Sequence, residues 1–285
     1  MKILTRALAL LLTTAMLCSV GSIALAAVAT PQSKALEQTT THDFGTLKLQ
    51  VDQWLYAFKK HDLRFFVVNI HTENPTQLLT AFAGEAYSRN AVEAPSDIAA
   101  RHDAALAING DYYNYKDDFG LIIRNGMLYR QAGSTRDHLL VYADGRMEGL
   151  YAADYVRDEG EKHIAAGVVQ SFAFGPLLVD GGEATVLPEK YIVSTDDTIR
   201  EPRTAIGMVE PNHYVIVVAD GRRNGWSEKG MTLQELQQVF IEQGCKIAYN
   251  LDGGGSTTLV VGGERINRTS GSRERDVSDI VYFTK

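Results

Sequence analysis

The chain contains little cysteine and no recognisable zinc-ligand pattern. Its 285 residues include two cysteines, Cys18 and Cys245, and Cys18 lies in a segment that we expect to be removed. The one remaining cysteine cannot form an internal disulfide, so an ordinary hydrophobic core must stabilise the fold. The seven histidines show no HxH or HExxH spacing. A zinc site is therefore not expected.

Several familiar catalytic and binding motifs are also absent. No GxxxxGK[ST] sequence surrounds the glycines at 253–255, so they do not form a phosphate loop of the Walker type. No GxSxG or SxxK sequence marks a nucleophilic serine. The acidic pairs at 117–118 and 196–197 lack the alternating spacing of a calcium loop. We expect no cofactor and no metal, although a bound divalent cation stays open. The net charge of −7 argues against nucleic acid as the main partner.

The first 29 residues have the three parts of a secretory signal peptide. Lys2 and Arg6 precede an apolar run over residues 7–20, and small residues follow it. We predict cleavage between about Ala24 and Thr30, a secreted or periplasmic location, and no membrane span after processing. A transmembrane anchor is the alternative, but the apolar run is short and no second such run follows.

The rest of the chain reads as short strands with few helices. Polar residues 30–44 are predicted to be a flexible lead-in, and no linker divides residues 45–285. Hairpin turns are expected at Asn125-Gly126, at Asp144-Gly145 and at Glu210–His213. Helices are predicted over Ser96–His102 and after Thr232, which forms a capping box with Glu235. The fold class is therefore mixed α/β (α+β), a single domain with short strands and hairpins in a mixed sheet.

Two predicted strands end in similar polar sequences. "ALAINGDYYN" reaches Asn109, Gly110 and Asp111, and "KIAYNLDGGGS" reaches Asn250 and Asp252. Loops at strand ends are held by a rigid scaffold, which makes them frequent ligand sites. The alternative is that these residues only form turns. The triple glycine after the second strand favours a shared site.

Arginines accompany other predicted strand ends. Arg203 precedes the strand in "EPRTAIG", where it could clamp a phosphate or lie on the surface. Asp220 and Arg222 follow a buried strand, and a solvated turn is the equal alternative there. Arg273 and Arg275 lie among acidic residues, a pattern that is most often a solvated, charged turn.

Taken in order, several of these segments resemble one known family. "AINGDYY", "FGPLLVDGG", "RTAIGM", "VVADGR", "TLQEL", "NLDGGGSTTLVV" and "RERDVSDIVYF" occur in the order found in phosphodiester glycosidases. That family includes the uncovering enzyme, an N-acetylglucosamine-1-phosphodiester alpha-N-acetylglucosaminidase, and bacterial exopolysaccharide-related members. The similarity extends over about residues 96–283, and residues 45–95 match only loosely. Many family members have a small residue in place of Asp111, which weakens the case for that position.

The resemblance implies hydrolysis of the C1–O bond of a sugar-1-phosphodiester in a glycan or envelope polymer. It implies Asp252, Asp111 and Arg203 as catalytic residues. The expected substrate-binding residues are Asn109, Gly110, Asn250, Gly253, Gly254, Gly255, Ser256, Thr257, Asp220 and Arg222. The N–H groups of residues 253–256 are expected to form an anion-binding nest. The alternatives are a non-catalytic carbohydrate-binding or exopolysaccharide assembly protein and a metal-dependent phosphodiesterase. The oligomeric state, the sugar and the stereochemical course stay open.

Overall fold

A computed structural model describes residues 30–112, 119–223 and 227–285. The predicted signal peptide and the acidic pair at 117–118 lie outside the described residues. Within the described ranges, no helix is both long and apolar enough to cross a membrane.

The strands form one large sheet, one medium sheet and two small ones. The eight-stranded sheet has the order β1-β2-β3-β14-β13-β15-β11-β12. Its strands are β1 (Ser33–Asp43), β2 (Leu47–Ala57), β3 (Asp62–Thr72), β11 (Leu177–Asp180), β12 (Glu183–Ala184), β13 (Arg203–Glu210), β14 (His213–Ala219) and β15 (Ile247–Asn250).

The five-stranded sheet has the order β17-β16-β5-β18-β4, and β10-β8-β9 and β6-β7 form the small sheets. These strands are β4 (Leu78–Phe82), β5 (Leu106–Asn109), β6 (Leu121–Arg124), β7 (Met127–Gln131), β8 (His138–Tyr142), β9 (Met147–Leu150), β10 (Val168–Phe172), β16 (Leu259–Val261), β17 (Glu264–Arg265) and β18 (Asp279–Phe283). The described pairings between named strands are antiparallel, as alternating hairpin connections produce.

Three α-helices cover the sheets: α1 (Pro95–Arg101), α2 (Gly160–Ala165) and α3 (Leu233–Glu242). The main core lies between the eight- and five-stranded sheets, where Val68 and Ile216 share one apolar cluster with Ile108 and Val281. Cluster members on α3 cover the outer face of the large sheet, and those on α1 cover the five-stranded sheet. The predicted α+β class with few helices is confirmed.

Local sequence signals account for the turns and for α3. The three predicted hairpins join β6 to β7, β8 to β9 and β13 to β14. The Thr232 hydroxyl accepts from the N–H of Glu235, whose carboxylate accepts in return from the N–H of Thr232. The short helix α2 was not predicted, because six residues carry little helical periodicity.

The prediction of a flexible lead-in at residues 30–44 is wrong for most of that segment. Residues 33–43 form the edge strand β1, which pairs antiparallel with β2 over its whole length. The strand is exposed on both faces, so its polar sequence shows no alternation of buried and solvated positions. Backbone pairing to β2 orders a segment that composition alone describes as loop.

Strand register brings distant residues to one edge of the large sheet. Arg203, at the start of β13, pairs with Ala219 at the end of β14. On its other side β13 pairs with β15, where Ala205 lies opposite Asn250. The segments that follow β14 and β15 therefore leave the sheet beside the residue that begins β13. This edge carries the candidate site.

Candidate active site

A cavity of about 430 Å³ opens at this edge of the large sheet. It joins a polar side, which contains a carboxylate, three arginines and the triple glycine, to an apolar side. Its lining residues are Tyr112, Phe174, Ile192, Val193, Ser194, Glu201, Pro202, Arg203, Arg222, Asp252, Gly253, Gly254, Gly255 and Arg275. Six of the predicted site residues are in this set: Arg203, Arg222, Asp252 and the three glycines.

Asp252 presents a largely buried carboxylate to the cavity. The residue lies two positions after β15 and is 8% exposed. Its Oδ1 accepts from the N–H of Gly253 at 2.8 Å, and its Oδ2 lies 3.4 Å from Nη2 of Arg275. Burial raises the pKa of Asp252, whereas the Ser256 hydroxyl and the Arg275 charge counteract that shift. The site therefore holds a carboxylate with few fixed partners beside positive charge.

Arg275 is a site residue that sequence reasoning missed. Its Nε and Nη2 donate to the Ser256 hydroxyl at 3.0 and 2.5 Å, and Nη2 also approaches Asp252. The surrounding acidic residues made the segment resemble a solvated turn. The available signal was its position within "RERDVSDIVYF", one of the motifs that carried the family resemblance.

Arg203 is buried at the back of the cavity with an unused donor. The residue is 2% exposed, and its Nε donates to the carbonyl oxygen of Met231 at 3.1 Å. Its Nη2 has no hydrogen-bond partner in the part of the chain that the structure describes. Burial lowers the pKa of the guanidinium to about 10. A buried cation with a free donor in a cavity wall is suited to binding an anion.

Arg222 and Glu201 form an ion pair on the cavity wall. The Arg222 backbone adopts a φ of +58°, which is unusual for a residue with a side chain and directs it away from the path of β14. Glu201 was not predicted, although it begins the "EPRTAIG" segment. Among the residues that the structure describes, the cavity lining thus carries three arginines and two carboxylates, a net charge of +1 when all five ionise.

A different local constraint favours glycine at each of the three positions. A Cβ on Gly253 would lie 2.6 Å from the carbonyl oxygen of Pro202. Gly254 has a φ of +60°, which side chains rarely adopt. A Cβ on Gly255 would lie 3.1 Å from Nη1 of Arg275. The tripeptide allows a tight turn against β13 and close packing of the Arg275 guanidinium.

The predicted anion-binding nest is wrong for three of its four N–H groups. The N–H groups of Gly253, Gly254 and Ser256 donate to Asp252 Oδ1, the Pro202 carbonyl and the Gly253 carbonyl. The glycines therefore shape the loop, and the arginine side chains supply most of the donors that face the cavity.

Asn109 braces the site and is not part of the cavity wall. Its Nδ2 donates to the carbonyl oxygens of Asp252, at 2.7 Å, and Gly110, at 3.2 Å. Its Oδ1 accepts from the Thr204 hydroxyl, at 2.7 Å, and the Thr258 N–H, at 3.2 Å. Two donated and two accepted bonds use the full capacity of the amide. The structure therefore places Asn109 against the loop of Asp252, and its contact with substrate stays a prediction.

Gly110 and Asp111 belong to a buried charge cluster behind the cavity. A Cβ on Gly110 would lie 2.0 Å from Oδ1 of Asp279, so the glycine makes room for that carboxylate. Asp111 is 3% exposed; Oδ1 pairs with Nη2 of Arg124 at 2.9 Å, and Oδ2 accepts from the Ala173 N–H at 2.9 Å. Neither Gly110 nor Asp111 lines the cavity. Both are placed as supports for its wall, in contrast to the contacts predicted for them.

The remaining predicted residues surround the cavity without lining it. Asn250 is fully buried, and its Nδ2 donates to the Gly175 carbonyl at 2.8 Å. Ser256 holds Arg275, and Thr257 accepts from the Asn267 side chain through its carbonyl. Asp220 is 1% exposed, and its Oδ1 accepts from the N–H of Arg268 at 3.0 Å.

The apolar side of the cavity was not predicted at all. Phe174 precedes a turn into β11, and Ile192 and Val193 belong to the long segment between β12 and β13. That segment has no regular structure and few periodic features, so sequence patterns gave no reason to place it at the site. No group of three or more His, Cys, Asp or Glu side chains suited to a metal lies within residues 30–112, 119–223 and 227–285.

Comparison with known proteins identifies the family that has this fold and this site. The phosphodiester glycosidase family matches residues 102–284. The chain belongs to that family.

Two relatives illustrate the breadth of the similarity. The SPbeta prophage-derived protein YomE of Bacillus subtilis (strain 168) is 32% identical over 193 residues, covering 66% of this chain and 29% of that protein. The Homo sapiens N-acetylglucosamine-1-phosphodiester alpha-N-acetylglucosaminidase is 26% identical over 182 residues, covering 59% of this chain and 34% of that protein. The chain spans about a third of the length of the curated relatives it matches.

Solved structures show the same fold. The zebrafish N-acetylglucosamine-1-phosphodiester alpha-N-acetylglucosaminidase catalytic domain, auto-inhibited by its pro-peptide, superposes with a TM-score of 0.68 at 19% identity, covering 89% of this chain and 88% of that one. A putative exported protein from Burkholderia pseudomallei K96243 superposes with a TM-score of 0.59 at 13% identity, covering 90% and 98%.

Proposed function

We propose that the protein is a secreted or periplasmic glycosidase that hydrolyses the C1–O bond of a sugar-1-phosphodiester. The substrate is an N-acetylglucosamine-1-phosphodiester or a similar unit of a glycan or envelope polymer. Family membership and the name of the human relative support this activity. The observation that carries the proposal is the Asp252 carboxylate beside three arginines in one cavity.

The chemistry of the bond explains this set of residues. Cleavage at C1 passes through an oxocarbenium-like state, which a carboxylate stabilises or attacks. Asp252 fills this role, because its burial keeps the negative charge poorly solvated and strengthens its action on a developing cation. The Ser256 hydroxyl and Arg275 oppose the rise that burial causes in the pKa of Asp252, and Arg275 also contacts its Oδ2.

The leaving group accounts for the arginines. A phosphate monoester departs as a stable anion, so it needs positive charge around it more than it needs a proton donor. Arg203 lines the cavity and its Nη2 has no hydrogen-bond partner among the described residues. Arg222 lines the same cavity from the loop that follows β14. The net charge of +1 at the lining complements the single negative charge of a phosphodiester.

Hydrolysis in oxygen-18 water tests the reaction. The mature protein is incubated with an N-acetylglucosamine-1-phosphodiester, and both products are analysed by mass spectrometry. We expect the label on C1 of the released sugar and none in the phosphate monoester. Asp252→Asn, which keeps the side-chain shape without the full charge, serves as the matched inactive control.

Each of the other possible results would indicate a different function for this protein. Label in the phosphate, with loss of turnover in chelator, contradicts the proposal and indicates a metal-dependent phosphodiesterase. Binding of the diester without turnover of any sugar phosphodiester indicates a carbohydrate-binding or exopolysaccharide assembly protein. The export part of the proposal is tested separately, because an intact N-terminus on the exported protein would contradict signal-peptide cleavage.

A further inference from the structure

Two of the three arginines in the cavity come from loops that are remote in sequence. Arg222 belongs to residues 220–223, directly after β14. Arg275 belongs to residues 266–278, between β17 and β18. Each arginine side chain is partly exposed, with 37% and 51% of its surface accessible to solvent. Burial alone therefore does not fix their relative position, and contacts between the two loops must do so.

Asp220 makes the central contact between these loops. Its side chain is almost fully buried, and its Oδ1 accepts from the backbone N–H of Arg268 at 3.0 Å. Its own N–H donates to the carbonyl oxygen of Arg64 on β3 at 3.0 Å. The residue is thereby tied to the sheet on one side and to the second loop on the other.

A second contact joins the same loops close to the first. The Arg223 guanidinium donates through Nη1 to the carbonyl oxygen of Thr269. Between Asp220 and Arg223 the backbone packs closely against Gly230, since a Cβ on Gly221 would lie 2.8 Å from Cα of Gly230. Arg222 has a left-handed φ, and it lines the cavity. The loop is clamped on both sides of the arginine that faces the cavity.

We propose that Asp220 is a positioning residue that fixes the 220–223 loop to the 266–278 loop, so that Arg222 and Arg275 face one phosphate. This inference rests on the proposed function, since it names the role of those arginines. Asp220 acts through its acceptor oxygen and touches no substrate. A buried carboxylate is costly to retain, and burial raises the pKa of Asp220 to about 7. Such a cost is frequent at sites that serve function.

Measuring the affinity for phosphate tests the proposal without requiring turnover. The dissociation constant for inorganic phosphate is measured by calorimetry on the full mature chain, together with the melting temperature. We expect Asp220→Ala to weaken phosphate binding about tenfold, the value of roughly one well-placed charge-assisted hydrogen bond. Asp220→Asn keeps an acceptor oxygen and should stay within about threefold of the wild type. Asp180→Ala, at a strand end on the far side of the sheet, is the matched control and should change nothing.

A double-mutant cycle separates positioning from general damage. If Asp220 acts through Arg222 and Arg275, then adding Asp220→Ala to a variant that carries both Arg222→Ala and Arg275→Ala should cost less than about twofold more in affinity. Additive losses, or a folded Asp220→Ala protein with wild-type affinity, overturn the proposal. An Asn variant as impaired as the Ala variant also overturns it. If Asp220→Ala does not fold, Arg223→Met removes the second tie and should weaken phosphate binding in the same direction.

The outcomes distinguish this proposal from the enzymatic one. A wild-type protein that binds phosphate but turns over no diester contradicts the proposed function and leaves the variants to decide the role of Asp220. A wild-type protein without phosphate affinity contradicts both. In an active enzyme, we expect Asp220→Ala to raise KM more than it lowers kcat, because the N–H of Gly253 still holds the Asp252 carboxylate.

Discussion

Replacing Arg203 with methionine should make the protein more stable and less functional at once. Burial lowers the pKa of this guanidinium to about 10. Each pKa unit corresponds to about 1.4 kcal/mol, so the charge costs the folded state on the order of 3 kcal/mol at neutral pH. The uncharged side chain of similar length removes that cost. It also removes the hydrogen bond from the charged Nε to the carbonyl of Met231, which is worth about 1.5–3 kcal/mol.

The two terms leave a net gain of up to about 1.5 kcal/mol in the free energy of unfolding. For a domain of this size such a gain raises the melting temperature by up to about 6 °C. Binding of phosphate should weaken by about ten- to a hundredfold, because a charge-assisted bond is worth about 1.5–3 kcal/mol. A cation that costs stability and serves a ligand predicts this opposite pair of changes.

Arg200→Met is the matched control, since Arg200 is also buried but has a partner. Its guanidinium pairs with Glu235, and both side chains are less than 10% exposed. Removing it leaves a buried carboxylate unpaired, which should cost about 3–5 kcal/mol of stability and leave phosphate affinity unchanged. Calorimetric measurement of the phosphate dissociation constant, together with thermal melting of both variants, tests this prediction. If Arg203→Met melts early like Arg200→Met and binds phosphate normally, then Arg203 braces β13 and the reasoning is refuted.

Three further predictions concern single residues. Asp252→Asn should fold, bind phosphate and lose turnover by at least about a hundredfold in a kcat assay, since the amide supplies no full negative charge; full activity contradicts the assignment. The pKa of Asp220 is raised to about 7, so between about pH 4 and 7 the folded state holds a proton that the unfolded state releases. The free energy of unfolding should therefore fall as the pH rises through this range. Denaturant titrations should show a smaller fall for Asp220→Asn. Asn267 begins the sequence Asn-Arg-Thr, an N-glycosylation sequon, but it is 3% exposed and its amide bonds Thr257 and Leu259. Folded protein from a eukaryotic secretory pathway should therefore show no glycan at Asn267 by mass spectrometry.

Sequence patterns predicted the elements of the fold better than their arrangement. Asn-Gly and Asp-Gly turns and the capping box of α3 are local signals, and the structure has each of them. The edge strand β1 was missed because its polar sequence shows no alternation of apolar residues, and because its partners lie on β2, through the backbone pairing and side-chain bonds such as that from Thr39 to Asp52. Strand order is set by contacts between residues far apart in sequence, and no local pattern encodes it.

Sequence reasoning named Asp252, Arg203 and the glycines of the cavity lining, and it missed Arg275, Glu201 and the apolar side. Motif glycines, Asp252 and Arg203 were found, because strand ends mark the sites of open sheets. Asn109 and Asp111 carry the same polar signal, yet their hydrogen bonds are used within the protein. A sequence shows which side chains can bind, and only geometry shows which of them have a free donor or acceptor facing the cavity.

The triple glycine shows how that geometry can be tested residue by residue. Gly253→Ala places a Cβ 2.6 Å from a backbone oxygen, which cannot move without shifting β13, so we expect the largest loss of melting temperature. In Gly254→Ala, only the left-handed φ should lower the free energy of unfolding, by about 1–2 kcal/mol. Gly255→Ala meets only the mobile guanidinium of Arg275 at 3.1 Å, so the fold should survive while Arg275 is pushed from Asp252 and turnover falls. Equal melting losses in all three variants, or normal turnover in Gly255→Ala, would show that the glycines form a turn without serving the carboxylate beside them.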